Sequence, residues 1–246
     1  MKDFQHKLFD EVHYFEKVRS TNIKAQKLIK DASVYGNLLV ISRIQSGGIG
    51  RNRNRWFSPN GGLWMTAALY GLSVASNLTI FTGICIHKTI IKLFPKLVAD
   101  LKIKWPNDIY LGDRKLCGIL SSKLQNEKYH LLGIGLNSNV CELPEEMVDI
   151  AVSLKQYLNI DVDNKMLAAE LFDLFAQDLP QFIEGNLDTK YFNQYSLLTN
   201  KNIILDTDFD QFSGLYKGIN KSGAILIELK PGMIQPFYAG SVISWE

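Results

Sequence analysis

The sequence predicts an α+β fold: a mixed sheet with flanking helices, followed by a small C-terminal β-barrel. Three observations predict it. Stretches with helical periodicity alternate with short apolar strands, and many of the strands follow one another through tight turns, which points to mixed or antiparallel pairing. After about Leu198 the texture changes to short strands separated by Asp, Gly, Asn and Ser turns, the pattern of a small barrel. The chain has 246 residues, 46% of them hydrophobic, enough for a substantial core. The expected division is therefore 1–197 and 198–246.

Each element has its own signal. Ser20, Thr21 and Asn22 are consecutive N-cap candidates, and Ala25, Leu28, Ile29 and Ala32 follow at helical spacing, giving about three turns ended by Gly36 and Asn37. Leu38 to Ile41 reads as a short strand entering a Gly/Arg loop, and Leu63 to Leu69 as the strand leaving it. Asn77 caps a second helix through Phe94, with Ile80, Phe81, Ile84 and Ile91 inside. Leu101 to Trp105 alternates, with Leu101, Ile103 and Trp105 on one face and Lys102 and Lys104 on the other. Pro106-Asn107-Asp108 interrupts it. Ile109 to Leu111, the turn at 112–114 and Lys115 to Leu124 read as a hairpin, and Asn126-Glu127 turns into Tyr129 to Leu136. A short helix is expected over Ser153–Leu158 and a long one from Asp163 to Ile183, kinked at Pro180, with Leu167, Leu171, Phe172, Leu174, Phe175 and Leu179 inward. Tyr191 to Leu197 supplies a last helical turn. Ile203–Leu205, Phe212–Ile219, Ala224–Leu229 and Pro236–Ile243 are the strands of the barrel.

Charge is unevenly spread. Residues 32–99 contain no Asp or Glu, while Arg43, Arg51, Arg53, Arg55, Lys88, Lys92 and Lys96 make the segment strongly positive within a chain of net charge +2. Residues 47–62 concentrate this, with five glycines, three alternating arginines and Trp56. Such a segment suits an anionic ligand, because glycine lets backbone N–H groups approach closely. It is neither a dinucleotide fingerprint, since no helix follows, nor a P-loop, since no GK[ST] closes it. The other reading is a solvated surface loop. Lys104 is either an exposed lysine on the wet face of its strand or a compact charge presented at a strand end. Gly118, Gly133 and Gly135 mark close backbone approach, by a ligand or by packing.

Several classes are excluded. Cys85, Cys117 and Cys141 are isolated, so neither a disulfide framework nor a zinc cluster is expected. His6, His13, His87 and His130 form no triad or metal spacing. No apolar run reaches the ~18 residues of a membrane span. The charged N-terminus lacks an apolar signal region, so a cytoplasmic protein is expected.

In order, Ser20-Thr21-Asn22, Gln45 with Gly48 to Trp56, Lys104-Trp105-Pro106-Asn107-Asp108, Lys115 to Leu120, and Gly133 to Asn139 resemble the biotin–protein ligases (biotin–acetyl-CoA-carboxylase ligases) over nearly the whole chain. The resemblance implies a class II synthetase-like catalytic domain and an SH3-like barrel. It implies the short class, without an N-terminal DNA-binding domain. It implies a reaction in which biotin and ATP form biotinyl-5′-AMP, Mg²⁺ assists, and a lysine of a biotin carboxyl carrier protein takes the biotinyl group. Homodimers are common in the family.

By the same resemblance, Lys104 and Arg51 are catalytic. Ser20, Thr21, Asn22, Gln45, Gly48, Ile49, Gly50, Arg51, Lys104, Gly118 and Gly135 bind biotin. Arg51, Arg53, Arg55, Trp56, Lys104 and Asn137 bind ATP and the adenylate, with Trp56 over the adenine. The metal ligands are unassigned. The family loop usually reads GRGR, whereas Ile49 stands here at the first arginine. Either that role belongs to the backbone, or Arg53 or Arg55 substitutes, or phosphate binding is weaker. Two other readings are a lipoate–protein ligase, which shares the fold, and a single-strand nucleic-acid-binding module built on the basic loop, Trp56 and the barrel. The pI near 8.3 speaks against the latter.

Overall fold

The computed structural model describes residues 1–31, 34–72, 77–124 and 128–246. The elements in chain order are β1 (Glu11–Val18), α1 (Thr21–Lys30), β2 (Leu38–Ile49), β3 (Arg55–Ser58), β4 (Leu63–Tyr70), α2 (Leu78–Leu93), β5 (Leu101–Lys104) and β6 (Asp108–Leu111). They continue with β7 (Arg114–Lys123), β8 (Tyr129–Leu136), α3 (Leu154–Leu158), α4 (Asn164–Ile183) and α5 (Thr189–Gln194). The last are β9 (Asn202–Asp206), β10 (Gln211–Ile219), β11 (Ile225–Lys230), β12 (Met233–Phe237) and β13 (Ser241–Trp245). The chain divides into two compact units, Met1–Ser73 with Asp113–Ala176, and Val74–Gly112 with Gln177–Glu246. Both units are discontinuous in sequence, and the boundary expected at 197/198 falls between α5 and β9.

In the first unit the strand order is β1-β2-β4-β8-β7, with β3 on β2. The β1–β2 pair is parallel and the others are antiparallel, so the sheet is mixed as expected. α1 lays Ala25 and Ile29 on one face, against Leu38, Val40, Ala68, Tyr129 and Leu131. That burial, rather than propensity, holds so short a helix. Ser20 caps it with its backbone only; its side chain makes no capping bond. α1 ends at Lys30, well before the expected stop at Gly36; Ala32 lies outside the described residues, as does the Asn126-Glu127 turn. α3 carries a complete capping box, Ser153 accepting from Gln156 N and Gln156 closing on Ser153 N. The Asp163 carboxylate accepts from Lys165 N and Met166 N at the start of α4. On α4, Leu167, Leu171, Phe172 and Phe175 are buried, and Leu174 and Leu179 half-buried.

One reading is corrected. Residues 47–62 are not a loop joining two short strands. β2 runs twelve residues, through Gly47 and Gly48 to Ile49, and β3 returns antiparallel beside it, pairing Gly48 with Trp56 and Ile49 with Arg55. Residues 50–54 turn between the two strands, and residues 59–62 turn again into β4. Glycine without a Cβ is what permits this: a Cβ on Gly48 would stand 2.5 Å from the Trp56 carbonyl and 2.8 Å from Ser58 Oγ.

In the second unit β5 and β6 form an antiparallel hairpin that pairs Lys104 with Asp108 and Lys102 with Tyr110. The buried α2 is followed by the β5–β6 hairpin, and Phe81 stacks on Phe182 at 4.4 Å. A separate five-stranded sheet has the order β12-β11-β10-β9-β13, consistent with the SH3-like expectation. The segment read as one strand over Pro236–Ile243 is two strands, β12 and β13, separated by a turn with Gly240 at φ +136°.

Candidate active site

In the first unit the site follows from one face of the sheet. Along β8, Tyr129, Leu131, Gly133 and Gly135 share a face, because side chains alternate. The first two pack under α1; the last two have no side chain. Gly118 on β7 pairs with Gly135, so the floor is bare across two strands. Gly133 lies under the start of α1, where a Cβ would come within 2.5 Å of the Asn22 amide nitrogen. Over Gly118 and Gly135 lies the Trp56 indole: added Cβ atoms would stand 2.9 Å and 2.7 Å from its ring carbons. Lys115 holds its ammonium 5.2 Å from the centre of the same ring.

A hydrogen-bonded chain edges this trough. Thr66 Oγ1 donates to Thr21 Oγ1 (2.8 Å), which donates to Gln45 Oε1 (3.1 Å). Thr21 N also donates to Gln45 Oε1 (2.8 Å), so the glutamine does the capping that Ser20's side chain does not. Gln45 Nε2 donates to Ser58 Oγ (2.9 Å), and Ser58 Oγ to the Trp56 carbonyl (3.2 Å). Each partner fixes the next, so the Gln45 amide has one orientation. Two atoms inside the trough are buried without a hydrogen-bond partner: Asn22 Oδ1, an acceptor, and Trp56 Nε1, a donor. Buried polar atoms are almost always paired, so these two call for a ligand that offers both roles.

The hairpin tip adds charge. Arg51 is half-buried, and Arg53 and Arg55 are exposed. Asn52 and Arg53 take left-handed φ of 53° and 61°, a tight turn closed by Gly50 N to Asn54 O at 2.8 Å. The Ile49 side chain is exposed. Asn137 is buried; its amide donates to the Val152 carbonyl at 3.2 Å, and its backbone binds Leu116 and Leu154.

Lys104 belongs to the second unit. The wet-face reading of its side chain is overturned, because it is only 8% exposed. Its ammonium donates to the Val242 carbonyl at 2.9 Å and lies 4.0 Å from the ring centre of Trp245 and 5.6 Å from that of Tyr110. Burial and the Asp108 carboxylate push the Tyr110 hydroxyl up to about 12.

The structure thus brings Ser20, Thr21, Asn22, Gln45, Gly48, Trp56, Gly118 and Gly135 together around one trough. Sequence reasoning missed Thr66 and Ser58, whose only signal was a small hydroxyl residue in each strand. It read Gly133 as a close approach but left it out of the site. Among the described residues no three His, Cys, Asp or Glu side chains cluster to hold a metal ion.

Comparison with known proteins shows the family. A sequence model of the Biotin/lipoate A/B protein ligase family matches residues 14–139. The bifunctional ligase/repressor BirA of Escherichia coli is 30% identical over 82% of this chain, the match spanning 64% of its own length, which is less than two thirds. The biotin–[acetyl-CoA-carboxylase] ligase of Paracoccus denitrificans is 27% identical over 85% of this chain and 90% of its own. The biotin protein ligase of Aquifex aeolicus, solved with biotin and ATP, has the same fold, with a TM-score of 0.84 at 23% identity over 97% of this chain and 99% of that one. The chain belongs to the biotin/lipoate A/B protein ligase family.

Proposed function

We propose that the chain is an ATP-dependent biotin–protein ligase. The carboxylate of biotin attacks the α-phosphorus of ATP, pyrophosphate leaves, and biotinyl-5′-AMP is held until a lysine of a carrier protein displaces AMP. The observation that carries this reading is the glycine-floored trough with an unpaired acceptor and an unpaired donor buried inside it. A ureido ring offers N–H groups to Asn22 Oδ1 and a carbonyl to a donor, while its fused thiophane lies flat against the Trp56 indole, which itself rests on the glycine floor.

Lys104 neutralises the charge that shifts between the carboxylate and the α-phosphate. Its ammonium is already stripped of most of its water, so little reorganisation is needed during the reaction. Arg51 and the glycine backbone of the hairpin close on the phosphates, and Trp56 covers the flat rings of the ligand. Asn137 sits at the end of the floor strand. Mg²⁺ enters with the triphosphate, whose oxygens are its natural ligands. The carrier protein, a homodimer and a cytoplasmic setting belong to the same proposal; no helix among the described residues is long and apolar enough to cross a membrane.

The family description covers lipoate as well as biotin, so lipoate is the second reading. The polar edge formed by Asn22, Thr21 and Gln45 favours the ureido ring over an apolar dithiolane. The test is incubation with biotin, ATP, Mg²⁺ and a carrier domain, followed by intact mass. One biotinyl group on the carrier lysine is expected. No mass gain refutes the reading, and calorimetric binding of lipoate alone replaces it with the second. Lys104→Ala is expected to slow pyrophosphate release by roughly 10²–10³-fold.

A further inference from the structure

We propose that Trp245 is a positioning residue for Lys104: the indole face, together with the Val242 carbonyl, fixes where the lysine ammonium points. The proposal rests on the ligase reading above for the consequence, and on geometry for the pair itself. The Lys104 ammonium lies 4.0 Å from the Trp245 ring centre and donates to the Val242 oxygen at 2.9 Å. Tyr110 stands on the other side, its ring centre 5.6 Å from the ammonium, and meets Trp245 edge-on at 6.1 Å and 86°. Lys104 is only 8% exposed, so its ammonium has lost most of its hydration, and two aromatic faces and a carbonyl are among the groups that replace it.

The backbone is arranged to hold that seat. β13 carries a bulge between Val242 and Ser244, where two of its residues oppose Ile204 alone, and such a bulge re-aims the side chains beyond it. Trp245 then pairs with Ile203, and Glu246 exchanges both backbone hydrogen bonds with Asn202 at 3.0 Å each. The indole is therefore held by the ladder on both sides. Opposite it, Lys104 pairs with Asp108 and Lys102 with Tyr110, which sets the lysine stem in the β5–β6 hairpin. A lysine stem has four rotatable bonds and scatters its charge unless the head is held. The three N–H bonds of an ammonium are tetrahedral, so directing one at Val242 O and seating the head on the Trp245 face sets the remaining directions. Trp245 touches no reacting atom in this scheme; it acts through Lys104.

Four variants test it: Trp245→Leu, Trp245→Phe, Lys104→Met and the double variant Lys104→Met/Trp245→Leu. Trp245→Leu removes the ring face and keeps an apolar side chain; Trp245→Phe keeps a face. In urea unfolding of the protein alone, Trp245→Leu is expected to shift the unfolding constant on the order of tenfold more with Lys104 present than in the Lys104→Met background. In pyrophosphate release, Trp245→Leu is expected to lower kcat about tenfold with the KM for biotin within about twofold. Phe restores most of the rate, and Leu costs nothing further once Lys104→Met has removed the ammonium. Equal effects in both backgrounds, or Phe as harmful as Leu, overturn the proposal. A Leu variant too unstable to assay leaves the decision to Phe, whose kcat must lie between those of the wild type and Lys104→Met. The unfolding cycle needs no substrate, so a wild-type chain that releases no pyrophosphate refutes the ligase reading while the cycle still decides the pair.

Discussion

Replacing Gly135 by alanine tests the floor of the trough directly. Gly135 is not among the glycines with positive φ, so the strand accepts alanine without backbone strain. The methyl projects instead into the indole above it. A Cβ there would lie 2.7 Å from Cε2 and 3.2 Å from Cδ1 of Trp56, whereas carbon atoms settle at about 3.5–4.0 Å. Trp56 must lift by about 1 Å. Its ring is rigid, but it hangs on the edge strand β3, so the hairpin can yield. The strand also gains about 0.5–1 kcal/mol from exchanging glycine for alanine. Folding stability should therefore change little.

Ligand binding should not escape. A methyl in a packed subsite costs typically 1–3 kcal/mol, and on the ligase reading it reaches the ligand through the indole it lifts. At about 1.4 kcal/mol per decade this is roughly a 5- to 150-fold loss of biotin affinity. Titration calorimetry with biotin, beside thermal denaturation of the same samples, measures both halves. Gly118→Ala should act in the same direction, since its Cβ would stand 2.9 Å from Cζ3 of the same indole. A folded Gly135→Ala protein with unchanged biotin affinity would show that the ligand does not use this floor.

The hydrogen-bonded edge and the second unit's core give two further expectations. Gln45→Glu keeps an acceptor for Thr21 but loses the donor to Ser58, and should cost about 1–3 kcal/mol; an unchanged melting midpoint would contradict the chain of bonds described. His87 is fully buried, with Nε2 donating to the Leu101 carbonyl (3.0 Å) and Nδ1 accepting from the Tyr191 hydroxyl (2.8 Å). Burial lowers its pKa to about 4, below the usual 6.5. The unfolded chain therefore takes up this proton first, so stability is full above about pH 6.5 and falls toward pH 4, by about 3 kcal/mol at most. Urea unfolding across that window should show a slope that His87→Gln abolishes; an identical slope in the variant would assign it to other groups.

What could be read from the sequence was whatever depends on near neighbours. The start of α1 among Ser20, Thr21 and Asn22, the short helix over Ser153–Leu158 and the Asp163 cap are local chemistry, and each is found. The alternation around Lys104 located its strand, and the Gly/Arg concentration located the hairpin. What could not be read depends on register. Glycines lower strand propensity, so nothing local shows that β2 continues through Gly47 and Gly48 to Ile49; its pairing with β3 does that. Thr66 looks like an ordinary strand threonine until the β2–β4–β8 register sets it beside Gly133 and its hydroxyl meets Thr21. Lys104 lies on the polar face of a two-faced strand, and Val242 and Trp245, some 140 residues on, help convert that face into a buried seat.

The same distinction explains why the glycines mattered more than the arginines. An arginine contributes through charge, which acts over about 8–10 Å in salt and tolerates displacement. Arg53 and Arg55 are exposed, so their places in the tip can be exchanged at little cost. A bare floor allows no such exchange. Gly118 and Gly135 are paired across β7 and β8, so a methyl on either reaches the same indole from a fixed direction. Close packing turns an ångström into a kilocalorie, whereas screened charge does not. The floor and the hydrogen-bonded edge should therefore govern which ring is admitted, and the arginine tip should govern how fast and how firmly the phosphates are held.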